Sequence, residues 1–73
     1  MKAIINDEYE IDVKYLDSTS TDYTWFTVPT EICCTLDMLN AVQNSSISEM
    51  RKSVAQEDMW RIMVKTDLIQ WVN

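Results

Sequence analysis

The sequence predicts an α+β fold: a small antiparallel β-meander, then two short helices, then an apolar C-terminal element. Three observations predict it. Residues 8–15 alternate polar and apolar side chains without a fault. Pro29 ends a run of aromatic and β-branched residues, and helical apolar spacing follows Thr30. At 73 residues, the chain is expected to form a single domain, residues 1–73.

The meander is predicted from three runs. Residues 2–5 are apolar, and Asn6-Asp7 predicts a tight turn although the chain has no glycine. Residues 8–16 predict a strand with one face buried, and residues 22–28 predict a third strand. The face expected to be buried in the second strand carries Tyr9, Ile11, Val13 and Tyr15.

Two helices are predicted in the middle of the chain. Thr30 is a suitable N-cap for a helix over residues 31–43. Ser46 and Glu49 have capping-box spacing, which predicts a second helix over residues 47–56. The apolar stripe of the first helix is expected to comprise Ile32, Leu36, Leu39, Ala41 and Val42, with Cys33 beside it.

The C-terminal element, residues 59–72, fits either a strand or a helix, and its β-branched content favours a strand over residues 60–65. Such a small fold cannot easily bury three tryptophans. Since Trp and Met are enriched at contacts between subunits, Trp60, Met63 and Trp71 are predicted to lie at the interface of a homodimer.

The composition argues against an enzyme. Because the chain has no histidine and no glycine, it offers neither an imidazole base nor a glycine-rich phosphate loop. Cys33 and Cys34 are adjacent, which is neither a disulfide framework nor a zinc spacing, so both are expected to be reduced structural thiols. We therefore predict no catalytic residue, no cofactor and no metal.

The six basic residues are scattered along the chain, and the net charge is −6. Neither nucleic acid nor an anionic membrane surface is therefore an expected direct partner. No signal-peptide run and no apolar stretch of membrane-spanning length is visible in the sequence. The expected location is the cytoplasm.

The negative charge is concentrated in the N-terminal half. Residues 1–37 hold eight acids and two bases, whereas residues 38–73 hold four of each. A surface of this kind attracts a basic partner. The predicted partner-binding residues are Asp7, Glu8, Glu10, Asp12, Asp17, Asp22, Glu31 and Asp37.

Three of these acids form the expected stripe. On one strand face, Glu8, Glu10 and Asp12 would space their carboxylates by about 6.6–6.8 Å. This is the few-ångström scale on which phosphates repeat along a DNA strand. The alternative is an ordinary solvated strand face whose acids provide solubility and protect a sheet edge.

In its small size, its acidity, its lack of a catalytic motif and its acidic strand, the chain resembles small phage-encoded host-takeover inhibitors that act as DNA mimics. That class has no shared sequence motif. The resemblance implies an inhibitor of a basic host protein such as a sliding clamp, a nucleoid-associated protein or a CRISPR effector. Two other functions fit the same features: an antitoxin or immunity-type inhibitor of a basic nuclease, and a small structural or adaptor protein.

Overall fold

The computed structural model describes residues 1–72, and its α+β architecture confirms the predicted fold class. Within residues 1–72, the regular elements are seven strands, one α-helix (α1) and two short 3-10 helices. The strands are β1 (Lys2–Ile5), β2 (Tyr9–Asp12), β3 (Tyr15–Thr19), β4 (Tyr23–Pro29), β5 (Glu49–Lys52), β6 (Met59–Lys65) and β7 (Ile69–Val72). The helices are α1 (Leu36–Gln43) and the 3-10 helices Thr30–Cys34 and Thr66–Leu68.

The strands form two antiparallel sheets. One has three strands in the order β2-β1-β7, and the other has four in the order β3-β4-β6-β5. Because β1 lies between β2 and β7, the C-terminal strand closes onto the N-terminal hairpin. Residues 59–72 are therefore two strands joined by a 3-10 turn, which settles the alternative in favour of strands.

The predicted strand over residues 8–16 is wrong in its extent, because the chain leaves one sheet and enters the other within it. The Val13 amide donates to the Met1 carbonyl, and the next amide, of Lys14, donates to Thr27 on β4, both at 2.8 Å. β2 and β3 thus belong to different sheets, and the three predicted strands do not form one meander. Tyr15 consequently lies exposed rather than on the buried face.

The predicted turn at Asn6-Asp7 is confirmed. Both residues have left-handed backbones, with φ of 55° and 56°, as a type I′ hairpin turn requires. The Glu8 amide donates to the Ile5 carbonyl and closes the turn. A chain without glycine fills these positions with Asn and Asp, whose side chains tolerate this conformation better than most.

The helix predicted over residues 31–43 is divided at Thr35, whose backbone is extended (φ −72°, ψ 151°). The first part is a 3-10 helix, and only Leu36–Gln43 is α-helical. Thr35, rather than Thr30, caps α1, because its Oγ1 accepts the Met38 amide. The predicted apolar stripe is wrong at Leu36, Leu39 and Val42, which are exposed. It is right at Ala41, which is buried together with Met38, and at Ile32 and Cys33, which pack partly buried against the core.

The second helix, predicted over residues 47–56, is absent from that part of the structure, where β5 pairs with β6 instead. The Ser48 amide donates to Met63 and the Ser53 amide donates to Met59, so both ends of this segment bond to β6. A capping box contributes one or two local hydrogen bonds. Pairing of β5 with the central strand β6, extended by the Ser48 and Ser53 amides, supplies more backbone hydrogen bonds than the cap and overrides that signal.

One apolar core lies between the two sheets and α1. Its largest fully buried side chains include Phe26 from the four-stranded sheet, Ile5 and Ile11 from the three-stranded sheet, and Met38 from α1. Trp71 of β7 meets Phe26 edge to face, with ring centroids 6.0 Å apart. The helix therefore covers one opening of this core, beside β2.

Candidate protein-binding surface

Carboxylates from separate segments gather around strand β2. Glu10 and Asp12 alternate with the buried Tyr9 and Ile11, so their side chains point outward from the three-stranded sheet. Asp12 also lines an open recess together with Glu31, from the 3-10 helix that precedes α1. Tertiary structure thus places these two acids, which are distant in sequence, on one surface.

Asp58 joins this surface, although sequence reasoning assigned it to the neutral half of the chain. An adjoining recess is lined by Glu31 and Asp58, and the Thr30 amide donates to the Asp58 carbonyl at 2.8 Å. No periodicity in the sequence relates residue 58 to residue 31. We define the acidic face as Glu10, Asp12, Glu31 and Asp58. Asp7 and Glu8 lie apart from it in the hairpin turn before β2, where the neighbouring Asn6 amide donates to Leu68.

Two lysines lie among these four carboxylates. Lys2 approaches Glu10 at 3.9 Å between exposed side chains, and Lys14 lines both recesses. An exposed pair at this distance is worth little and is screened by salt. The acidic face therefore keeps a negative excess.

Glu8 differs from the other acids of the expected stripe. It lies in the hairpin turn, and its carboxylate hydrogen-bonds to the Tyr9 phenol, which raises the pKa of that phenol, as does burial. The Asn44 side chain, at the end of α1, donates to the same phenol oxygen. The regular spacing expected for Glu8, Glu10 and Asp12 is therefore limited to the latter two.

Asp37 lies beside the acidic face but has a structural role. Its Oδ2 accepts the Glu10 backbone amide at 3.1 Å, and it lies in the first turn of α1, where a negative charge is favourable. The side chain is partly buried and fastens the helix to the edge of β2. We therefore leave it out of the acidic face.

The other two predicted partner-binding residues lie elsewhere. Asp17, at a bulge of β3, accepts from Thr27 Oγ1 at 2.6 Å and lies 3.8 Å from Arg61 Nε. Asp22 lines a recess with Lys65 and Asp67 at the far end of the four-stranded sheet. Neither acid lines the recesses that hold Asp12, Glu31 and Asp58.

Basic side chains gather on the outer face of the four-stranded sheet. The guanidinium groups of Arg51 and Arg61 lie 5.5 Å and 5.0 Å from the centroid of the Trp25 ring. Glu49 also accepts from Arg51 at 2.5 Å. These arginines are occupied by the ring and by carboxylates, so they do not neutralise the acidic face.

The residues predicted for self-association do not form one patch. Trp60 packs against the core, whereas Met63 pairs with Trp25 in the ladder and points to the opposite face of β6. Trp71 lies on β7 and is 39% exposed. A contact through all three would need more than one surface of the molecule, and the homodimer stays a prediction.

Cys33 and Cys34 are both free thiols, the first partly buried and the second exposed. Burial raises the pKa of Cys33, and so, to a smaller extent, does Cys34. Within residues 1–72, no three Cys, Asp or Glu side chains converge as metal ligands. In the same range, no helix has the length and apolar character needed to cross a membrane.

No protein-family model, no curated protein and no solved structure matches this chain. Its function therefore has to be argued from its own surface.

Proposed function

We propose that this chain is an acidic inhibitor of a basic host protein that binds DNA, such as a sliding clamp, a nucleoid-associated protein or a CRISPR effector. In this proposal it occupies the DNA-contacting surface of its target and blocks DNA access. The supporting observation is the acidic face, on which β2, the 3-10 helix and the segment before β6 contribute carboxylates to one surface. Such a surface is complementary to one that binds phosphates.

The contribution of charge is tested by removing it without changing shape. The double substitution Glu10→Gln/Asp12→Asn removes two charges from the acidic face, and Asp22→Asn/Asp67→Asn removes two from the distant recess. We expect the first pair to slow association with the target at least about threefold, because steering depends on the local field. The second pair should leave association nearly unchanged.

Fluorescence anisotropy of labelled duplex DNA measures the inhibition. The DNA is bound first to each protein of a panel that contains a sliding clamp, a nucleoid-associated protein, a CRISPR effector and a basic nuclease. Wild-type chain should release the DNA from a member of the panel, and release should weaken as salt rises above about 0.1 M, where the Debye length is about 10 Å. Equal losses from the two double variants, or direct binding of the chain to DNA, would contradict the proposal.

A further inference from the structure

Helix α1 presents its leucines to solvent. Leu36, Leu39 and Val42 follow each other at intervals of three residues and are 72%, 54% and 41% exposed. Met38 and Ala41 of the same helix are fully buried, and Met38 lies one turn before the exposed Val42. A surface helix normally turns its apolar side to the core and its polar side to water. The apolar side of α1 is wider than the part that the core covers, so Leu36, Leu39 and Val42 face solvent.

The helix is firmly held, so the exposure of the leucines is not the result of loose docking. Thr35 caps its start, and Asp37 and Asn44 attach it to β2. At its end, Ser46 donates to the Ala41 carbonyl and Ser45, with φ of 61°, donates to Val42, which is a Schellman motif. A preordered surface loses little entropy on binding.

The part of the chain that carries the stripe is acidic and has no bases. Residues 15–50 contain neither Lys nor Arg, although they include Glu31 and Asp37. On the other side of α1 runs β2, whose exposed side chains include Glu10. The stripe therefore belongs to an acidic segment, and its helix contacts the strand β2, which carries Glu10 and Asp12.

The distribution of charge indicates which kind of partner surface packs on the exposed side of α1. A two-fold contact between copies of this chain through α1 would bring two acidic segments without bases together, which costs free energy. The complementary surface is apolar with Lys and Arg at its edges. A basic amphipathic helix has this chemistry, and two helices pack through apolar stripes of this spacing.

Building on the proposed function, we infer that α1 is the apolar anchor of the inhibitor, and that it packs Leu36, Leu39 and Val42 against a basic amphipathic helix of the target. The acidic face steers the encounter, and the leucines then hold the complex. Buried apolar anchors inside a charged border carry most of the affinity in contacts of this kind.

The probe is a synthetic amphipathic peptide of Leu and Lys that forms a helix with one apolar face. An oligolysine of equal charge is its control. Calorimetry should show that the Leu/Lys peptide binds the wild-type chain and that Leu36→Gln/Leu39→Gln weakens binding at least about tenfold. The matched control is Val54→Gln, since Val54 is also fully exposed but lies far from α1 in sequence, between β5 and β6. It should leave affinity unchanged.

The possible results distinguish a failure of the apolar anchor from a failure of the proposed function. One result would overturn the anchor but not the acidic inhibitor. In that case both peptides bind equally well, Leu36→Gln/Leu39→Gln has no effect, and Glu10→Gln/Asp12→Asn abolishes binding. Leucine dependence without any effect of the charge variant would overturn the acidic inhibitor instead. Failure of the Leu/Lys peptide to bind would overturn the anchor, as would a wild-type dimer that Leu36→Gln/Leu39→Gln converts to monomer. Circular dichroism on each variant verifies that the fold is retained.

Discussion

The Asp37 carboxylate accepts the backbone amide of Glu10 at 3.1 Å, and this hydrogen bond joins α1 to the edge of β2. An amide at a sheet edge otherwise lacks a partner within the sheet. One aspartate therefore satisfies the strand, places a negative charge at the start of the helix and attaches the helix that carries the exposed leucines to β2.

Removal of this carboxylate should loosen the helix. We expect Asp37→Ala to lower the free energy of unfolding by about 1–2 kcal/mol, since it removes a charge-assisted hydrogen bond and a favourable helix-terminal charge. Asp37→Asn, which keeps an acceptor oxygen, should lose less. Urea titration measures both variants, and Asp22→Ala serves as the control for loss of one acidic charge. A loss as large in the control would contradict the role assigned to Asp37.

Ser45 holds a left-handed backbone, with φ of 61°, at the end of α1. Glycine is the usual residue at this position of a Schellman motif because it lacks a Cβ. Ser45→Gly should therefore stabilise the protein by up to about 1 kcal/mol. Ser48→Gly, in the same loop but without a positive φ, should give no gain. Thermal unfolding of the two variants distinguishes them.

Ile62 is fully buried in the centre of the four-stranded sheet, whereas Val54 is fully exposed. Ile62→Val should cost about 0.5–1.5 kcal/mol, because it removes a buried methyl group and leaves a small void. Val54→Ala removes more carbon but should change the free energy of unfolding by less than about 0.5 kcal/mol. A comparable cost at both positions would contradict the burial assigned to Ile62.

The Tyr9 phenol should make stability depend on pH in the alkaline range. Its pKa is raised above the ordinary value of 10.0, first by the hydrogen bond to Glu8 and then by burial. The folded state thus keeps a proton that the unfolded state loses. This contribution is complete below about pH 10 and is lost as pH rises through the folded pKa.

Absorbance of tyrosinate follows this titration. Glu8→Gln should move the pKa of Tyr9 downward, because it removes the charged acceptor that favours the neutral phenol. Tyr9→Phe identifies the signal, since the component that ionises at the highest pH should be missing from the titration of that variant. An unchanged pKa in Glu8→Gln would contradict the role assigned to Glu8.

Local sequence patterns correctly predicted the elements whose own signal agrees with that of the neighbouring segments. The apolar run at residues 2–5, the Asn6-Asp7 turn and the strand ended by Pro29 all lie close to where they were expected. In each case a short-range constraint decides the backbone conformation. Asn and Asp tolerate a left-handed backbone, and proline has no amide hydrogen to donate.

The predictions failed where long-range pairing competes with a local signal. The capping box at Ser46 and Glu49 favours a helix, yet β5 pairs with β6, because backbone bonding along a central strand outweighs a cap. The alternation over residues 8–16 continues smoothly in sequence. Nothing local shows that Val13 and Lys14 bond to different sheets.

By itself, the sequence determined the α+β class, the absence of glycine and histidine, and the excess of acids in the N-terminal half. Tertiary structure alone decided which acids share a surface, since it gathers Asp12, Glu31 and Asp58 and separates Asp17. It also turned the leucines of α1 outward, because the core beside β2 accepts only Met38 and Ala41 of that helix. Composition fixes the amount of charge and apolar surface, whereas the packing of distant segments fixes where each is displayed.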